Sequence, residues 1–213
     1  RAHFLALGLD QKSVGFKPKA FDPDADKRSD PRVADPVLKE SALLTNVFNR
    51  LARSCFYEAQ KSFGCNMPVG EVTPAVLQRA HDAMASYDAI MHKVELHSIM
   101  ALMDEFIRWS NKYWADGIKN AELAGDDAAR RQVLLDSFYL LRVCTLLMHP
   151  VVPGGTETIC DYLNFSFDEF FSWNYDFDGM AELCSAGEIV EGAHRVCELP
   201  PRFDFFKKRY AGR

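Results

Sequence analysis

The chain has 213 residues, 48% hydrophobic and 26% charged, with a formal net charge of −5. That length holds one large domain, or one domain with a smaller appendage, and the balance is that of a soluble globular chain rather than a disordered one. A net negative charge excludes binding to nucleic acid through overall basicity, so any such contact must rest on a local patch; no apolar run approaches the ~20 residues a membrane helix needs, so no membrane partner is expected.

Residues 1–21 read as extended or looped. The first residue is Arg1, and "RAHFLALGLD" lacks the charged start, long apolar core and cleavage site of a signal peptide, so we expect the cut end of a longer chain. Residues 22–36, "DPDADKRSDPRVADP", are rich in Asp and Pro and form a surface linker. Asp35-Pro36 then supplies a cap and a first-turn proline for a long helix over 36–63. Its apolar face is Leu44, Val47, Phe48, Leu51, Cys55 and Ala59. "FGCNMPVGEVTP" (63–74) is a loop, and Thr73-Pro74 opens a second helix over 74–85. A third helix over 86–115 buries Leu96, Ile99, Met100, Met103, Phe106 and Ile107. "LAGDD" breaks the chain near 123–127. The fourth helix, 127–148, turns Val133, Leu134, Phe138, Leu141, Cys144, Thr145 and Met148 inward. Pro150 and Pro153 cannot continue it, and Thr156 caps a short helix ending near Leu163.

Beyond that come the aromatic stretches "FSFDEFFSWNYDF" and "RFDFFKKRY", too apolar to be left in water as one patch. Strand signals are weak throughout. The predicted fold is therefore all-α: an antiparallel helix bundle over 36–163, preceded by a connector (1–35) and followed by a long irregular C-terminal tail (164–213) that packs on the bundle.

Catalytic chemistry is not visible. There is no Gly-rich phosphate loop, no G-x-S-x-G and no pair of helical histidines at metal spacing beside a carboxylate. His92 and His97 are five apart, off one helix face, and a solvated face explains Glu157 and Asp161. None of the cysteines Cys55, Cys65, Cys144, Cys160, Cys184 and Cys197 forms a C-x-x-C pair, and His194 with Cys197 and the more distant Cys184 supplies too few close ligands for zinc. No catalytic residue and no metal ligand is assigned.

The polar feature that needs an explanation is a stripe on the first helix. Asn46, Asn49, Arg50, Arg53 and Tyr57 share one side of it, and Asn46 and Arg50 are neighbours at i,i+4. Asn and Arg hydrogen-bond base edges and phosphates, and Tyr stacks on bases. An ordinary solvated helix face has the same spacing, so spacing alone does not choose. In "FIRWSNKYW" (106–114), Trp109 and Tyr113 are also four apart, which fits a core as well as a base platform.

The order of these elements resembles the C-terminal anticodon-binding helical domain of methionyl-tRNA synthetases, class I aminoacyl-tRNA synthetases, in a divergent branch. "LLTNVFNRLARSCF" is similar to the first bundle helix of that family, with its Asn-x-x-x-Arg pattern. "FIRWSNKYW" is similar to the helix carrying Asn-(Lys/Arg)-Tyr. "LLRVCTLLMHPVVPGGTETICDYL" resembles the Arg-bearing helix, Pro-rich turn and short helix that follow. "RAHFLALGL" resembles the segment that leaves the catalytic domain, so the likeness spans about 1–163.

The resemblance implies tRNA as partner, with Asn46 and Arg50 on anticodon bases and Arg53, Tyr57 and Trp114 as further RNA-binding candidates. It implies a chain that positions tRNA for aminoacylation by an upstream catalytic domain of the same polypeptide, in the cytoplasm. ATP and Mg would be bound upstream, with no cofactor in this chain. The chain departs from the family where a stacking Pro-Trp is expected: Lys119 and Asn120 stand there, and Trp114 lies a turn and a half earlier. A stacked base is worth ~1–3 kcal/mol, so the sequence leaves open whether the anticodon specificity is for methionine, with Trp114 or another ring as the substitute to look for. The alternative is a non-catalytic synthetase-like helical scaffold that binds protein partners or another RNA.

Overall fold

In the computed structural model, which describes residues 5, 41–171, 189–190 and 193–207, a π-helical segment, Leu43–Phe48, runs directly into α1, Asn49–Phe63. Gly64 ends α1 in the left-handed conformation (φ 58°), which glycine adopts without a Cβ clash. A short strand, β1 (Asn66–Pro68), follows. Helix α2 is Pro74–Lys93, with its proline in the first turn, where the missing N–H costs nothing. Helix α3 is Leu96–Ala124 and α4 is Asp127–Met148. Asp126 caps α4 by accepting the Ala129 N–H at 2.9 Å. Helix α5 is Pro153–Leu163, and a single turn, α6 (Phe167–Phe170), closes the helical part. The turns between α2, α3 and α4 are so short that successive helices run antiparallel. The fold is an all-α antiparallel bundle.

Helix α4 is the centre of this bundle. Every residue from Leu134 to Met148 is buried, where the sequence suggested only one inward face. Phe138 and Leu141 of α4 and Leu51 and Met103 of neighbouring helices are fully buried, while Leu96 is only half-buried. Two polar groups inside are fully engaged. Asp136 accepts from the Thr73 N–H (2.9 Å), the Thr73 hydroxyl (2.7 Å), the Tyr113 hydroxyl (2.6 Å) and Gln132 (3.0 Å). It thereby ties the start of α2 and the middle of α3 to α4. Glu58 of α1 accepts from Arg130 of α4 at 2.6 Å.

Three expectations are corrected. The second helix does not stop at 85, and the third does not begin at 86: α2 continues to Lys93, and the break falls at Val94, which is left-handed (φ 59°). Nothing in "MHKVELH" signals that stop, because the residue taking the glycine role is a valine. Thr156 is not a cap. It lies inside α5, and its hydroxyl donates back to the Pro153 carbonyl at 2.8 Å, while Val152 takes the capping position. The strands, in turn, exist: a three-stranded antiparallel sheet in the order β1-β3-β2, where β2 is Ile189–Val190 and β3 is Ala193–Arg195. Strands of two or three residues are too short for alternation to show. The helix start at Asp35-Pro36, the connector apart from Leu5, Cys184 and residues 172–188 and 208–213 lie outside the described residues.

Candidate nucleic-acid interface

The polar stripe on the first helix divides in two. Asn46 and Arg50 are exposed, and among the described residues neither side chain has a hydrogen-bond or ion-pair partner. The other three positions hold the C-terminal segment 199–206. Asn49 is fully buried. Its Oδ1 accepts the N–H groups of Phe205 (2.9 Å) and Phe206 (3.1 Å), and its Nδ2 donates to the Phe206 carbonyl (3.0 Å) and to Asp204 (3.1 Å). Arg53 pairs with the Asp204 carboxylate at 2.9 Å. The Tyr57 hydroxyl donates to the Pro200 carbonyl at 3.0 Å and accepts the Phe203 N–H at 3.3 Å. Gln60, one turn on, donates to the Leu199 carbonyl at 3.2 Å.

These bonds do not hold the segment alone. Phe206 stacks on Phe48 with ring centroids 4.9 Å apart, and Phe205 packs against Phe56 at 5.6 Å and Tyr162 at 5.9 Å. The Arg53–Asp204 pair is partly exposed and contributes little. The buried amide of Asn49 and the rings carry the docking, because a buried N–H without a partner is costly.

The segment that sequence reading missed as a ligand of the stripe is therefore 199–206. One signal for it was present. Asn49 lies at i−3, i−7 and i−10 from Ala52, Phe56 and Ala59, all of them buried, so it belongs to the apolar stripe rather than beside Asn46.

Of the candidate RNA contacts, Arg53 and Tyr57 are thus engaged by the protein itself. Trp114 is only 7% exposed and packs in the core, so its ring is no surface platform. Trp109 is half-buried in a ladder with Phe106 (6.4 Å) and Tyr113 (5.7 Å), and the Arg79 guanidinium lies over it at 5.8 Å. Lys119 and Asn120 are exposed on an unbroken α3.

Several titrations are perturbed by burial in the core, while the Glu58 hydrogen bond raises Arg130. Burial pushes the Cys144 thiol up to about 12 and raises Cys55 further. Burial, then the hydrogen bond to Asp136, raises Tyr113. Arg142, 3% exposed, is lowered to about 10 by desolvation. Among the described residues no group of three or more His, Cys, Asp or Glu side chains is placed to hold a metal ion, and no helix is long and apolar enough to cross a membrane.

The architecture and this face define a helical bundle domain whose first helix presents an exposed Asn–Arg pair beside a docked tail. No protein-family model matches the chain. It is 26% identical over 117 residues, 55% of its length, to a protein named methionine--tRNA ligase from Haloarcula marismortui. Among solved structures it is similar to Mycobacterium tuberculosis methionyl-tRNA synthetase bound by methionyl-adenylate (TM-score 0.59, 19% identity, 84% of this chain and 34% of that one). The free-state structure of the same enzyme gives a TM-score of 0.57 at 19% identity, again over 84% of this chain and 34% of that one. The chain spans 16% of the curated relative's length. The likeness to the solved structures is one of fold; together with the sequence match, it makes this chain a methionyl-tRNA synthetase-like helical domain.

Proposed function

We propose that the domain binds tRNA through the exposed face of its first helix and positions it for aminoacylation by a catalytic domain outside these 213 residues. That upstream domain would bind ATP and Mg. The observation that carries this reading is the free Asn46–Arg50 pair: two long hydrogen-bonding side chains, exposed, one turn apart and without a partner among the described residues. Such a pair suits a base edge or a phosphate.

The experiment is binding of a methionine tRNA transcript at defined salt, comparing wild type with Asn46→Ala and Arg50→Ala. A base contact costs ~1–3 kcal/mol and depends on the anticodon sequence, whereas a phosphate contact weakens all RNAs alike. The scaffold reading is favoured by a different observation: Arg53 and Tyr57, the other half of the stripe, are occupied by the protein's own tail. Unchanged tRNA affinity in both variants, or no affinity at all, would leave the scaffold reading in place.

A further inference from the structure

The docked tail has a register against the first helix. Leu199 meets Gln60, Pro200 and Phe203 meet Tyr57, and Asp204 meets Arg53. Phe205 and Phe206 then meet Asn49. The tail number rises as the helix number falls, so the two run antiparallel. Asn49 Nδ2 is also 3.2 Å from the Thr45 carbonyl, which fixes the Phe206 carbonyl at the level of that turn. The next tail residue, Lys207, is exposed, and continuing the register brings it level with Thr45 and Asn46, one turn before Arg50.

We infer that Lys207 is a phosphate-binding residue of the RNA face and that Asn49 is its positioning residue. This rests on the RNA-binding reading of Asn46 and Arg50. The charge at the face supports it. The chain is net negative, so phosphate affinity must come from local cations. Docking removes Arg53 from that set, because Asp204 neutralises it. The same docking leads the chain from Phe206 on to Lys207, level with Thr45 and Asn46 and one turn before Arg50. A lysine in this place acts as a point charge on the backbone and reads no base.

The test is the salt dependence of methionine tRNA binding by the whole 213-residue chain. Each ionic phosphate contact contributes ~0.7–0.9 to the slope of log affinity against log salt. Lys207→Ala is expected to flatten the slope by about that amount, to do so equally for a transcript with a scrambled anticodon, and to be rescued by Lys207→Arg. Asn49→Ala should flatten it likewise although Asn49 carries no charge; a merely structural role would lower the folded fraction and leave the slope alone. Lys93→Ala is the control for a generic surface cation. If Arg50→Ala weakens binding while Lys207→Ala leaves the slope unchanged, the inference is overturned and the RNA-binding reading stands. If Arg50→Ala has no effect either, both fall.

Discussion

Asn46 and Asn49 are the same residue type three positions apart, and the fold gives them opposite work. Asn49 satisfies two buried N–H groups and a buried carbonyl of the tail, while Asn46 is exposed. Truncating Asn49 orphans those backbone groups inside the protein, at ~1–3 kcal/mol for each unmet partner. Asn49→Ala should therefore lower stability by roughly 2–4 kcal/mol. Asn46→Ala should stay within about 0.5 kcal/mol of wild type, as a surface substitution does. Urea unfolding at neutral pH measures both. Equal effects would mean that Asn49 does not hold the tail. The contrast also sharpens any RNA-binding result, because lost affinity in Asn46→Ala could not then be ascribed to unfolding. Composition at this scale is ambiguous: an Asn-x-x-x-Arg spacing occurs twice, at 46/50 and at 49/53, and only burial separates the copies.

At the scale of elements, helices marked by Pro, Gly or a capping Asp were legible, and those without such marks were not. Pro74, the Gly125-Asp126 pair and Pro153 each stand at an observed helix end. The α2–α3 break was misplaced because it is made by Val94, held at φ 59° and bonded at its N–H to the Met91 carbonyl at 3.1 Å. A β-branched residue in the left-handed region costs about 1–2 kcal/mol, and Val94 is 61% exposed, so it gains little from packing in return. Val94→Gly should accordingly raise stability by roughly 0.5–1 kcal/mol after the extra entropy of glycine in the unfolded chain is counted. Thermal unfolding checks the sign; a drop in midpoint would show that Val94 packs against something its exposure does not suggest. The sheet was illegible for a different reason. β1 and β3 lie 125 residues apart, from Pro68 to Ala193, and pairing at that separation leaves no trace in a local pattern.

Across the whole molecule, the question is whether the tail belongs to the folded unit or only rests on it. It touches both ends of the bundle in sequence: α1 through Asn49, Arg53 and Tyr57, and α5 through the Phe206 ring over Gly155. That makes it a brace between the first and the last long helices, and a brace of this kind should unfold with them in a single transition. Two adjacent glycines of α5 test this without deleting anything. In a helix Ala is favoured over Gly by about 1 kcal/mol. At Gly154 a Cβ would meet nothing within 4 Å, so Gly154→Ala should stabilise by up to ~1 kcal/mol. At Gly155 a Cβ would collide with the Phe206 ring. That ring cannot retreat cheaply, because Asn49 holds its backbone and Phe48 stacks on it. Forcing it out forfeits most of a buried phenylalanine, ~1.5–3 kcal/mol, which exceeds the helix gain. Gly155→Ala should thus destabilise by about 1–2 kcal/mol while keeping one cooperative urea transition. If it instead stabilises as Gly154→Ala does, or splits the transition so that the tail leaves first, then the tail is a loosely seated appendage, and the place the register gives Lys207 near Asn46 is not a fixed one.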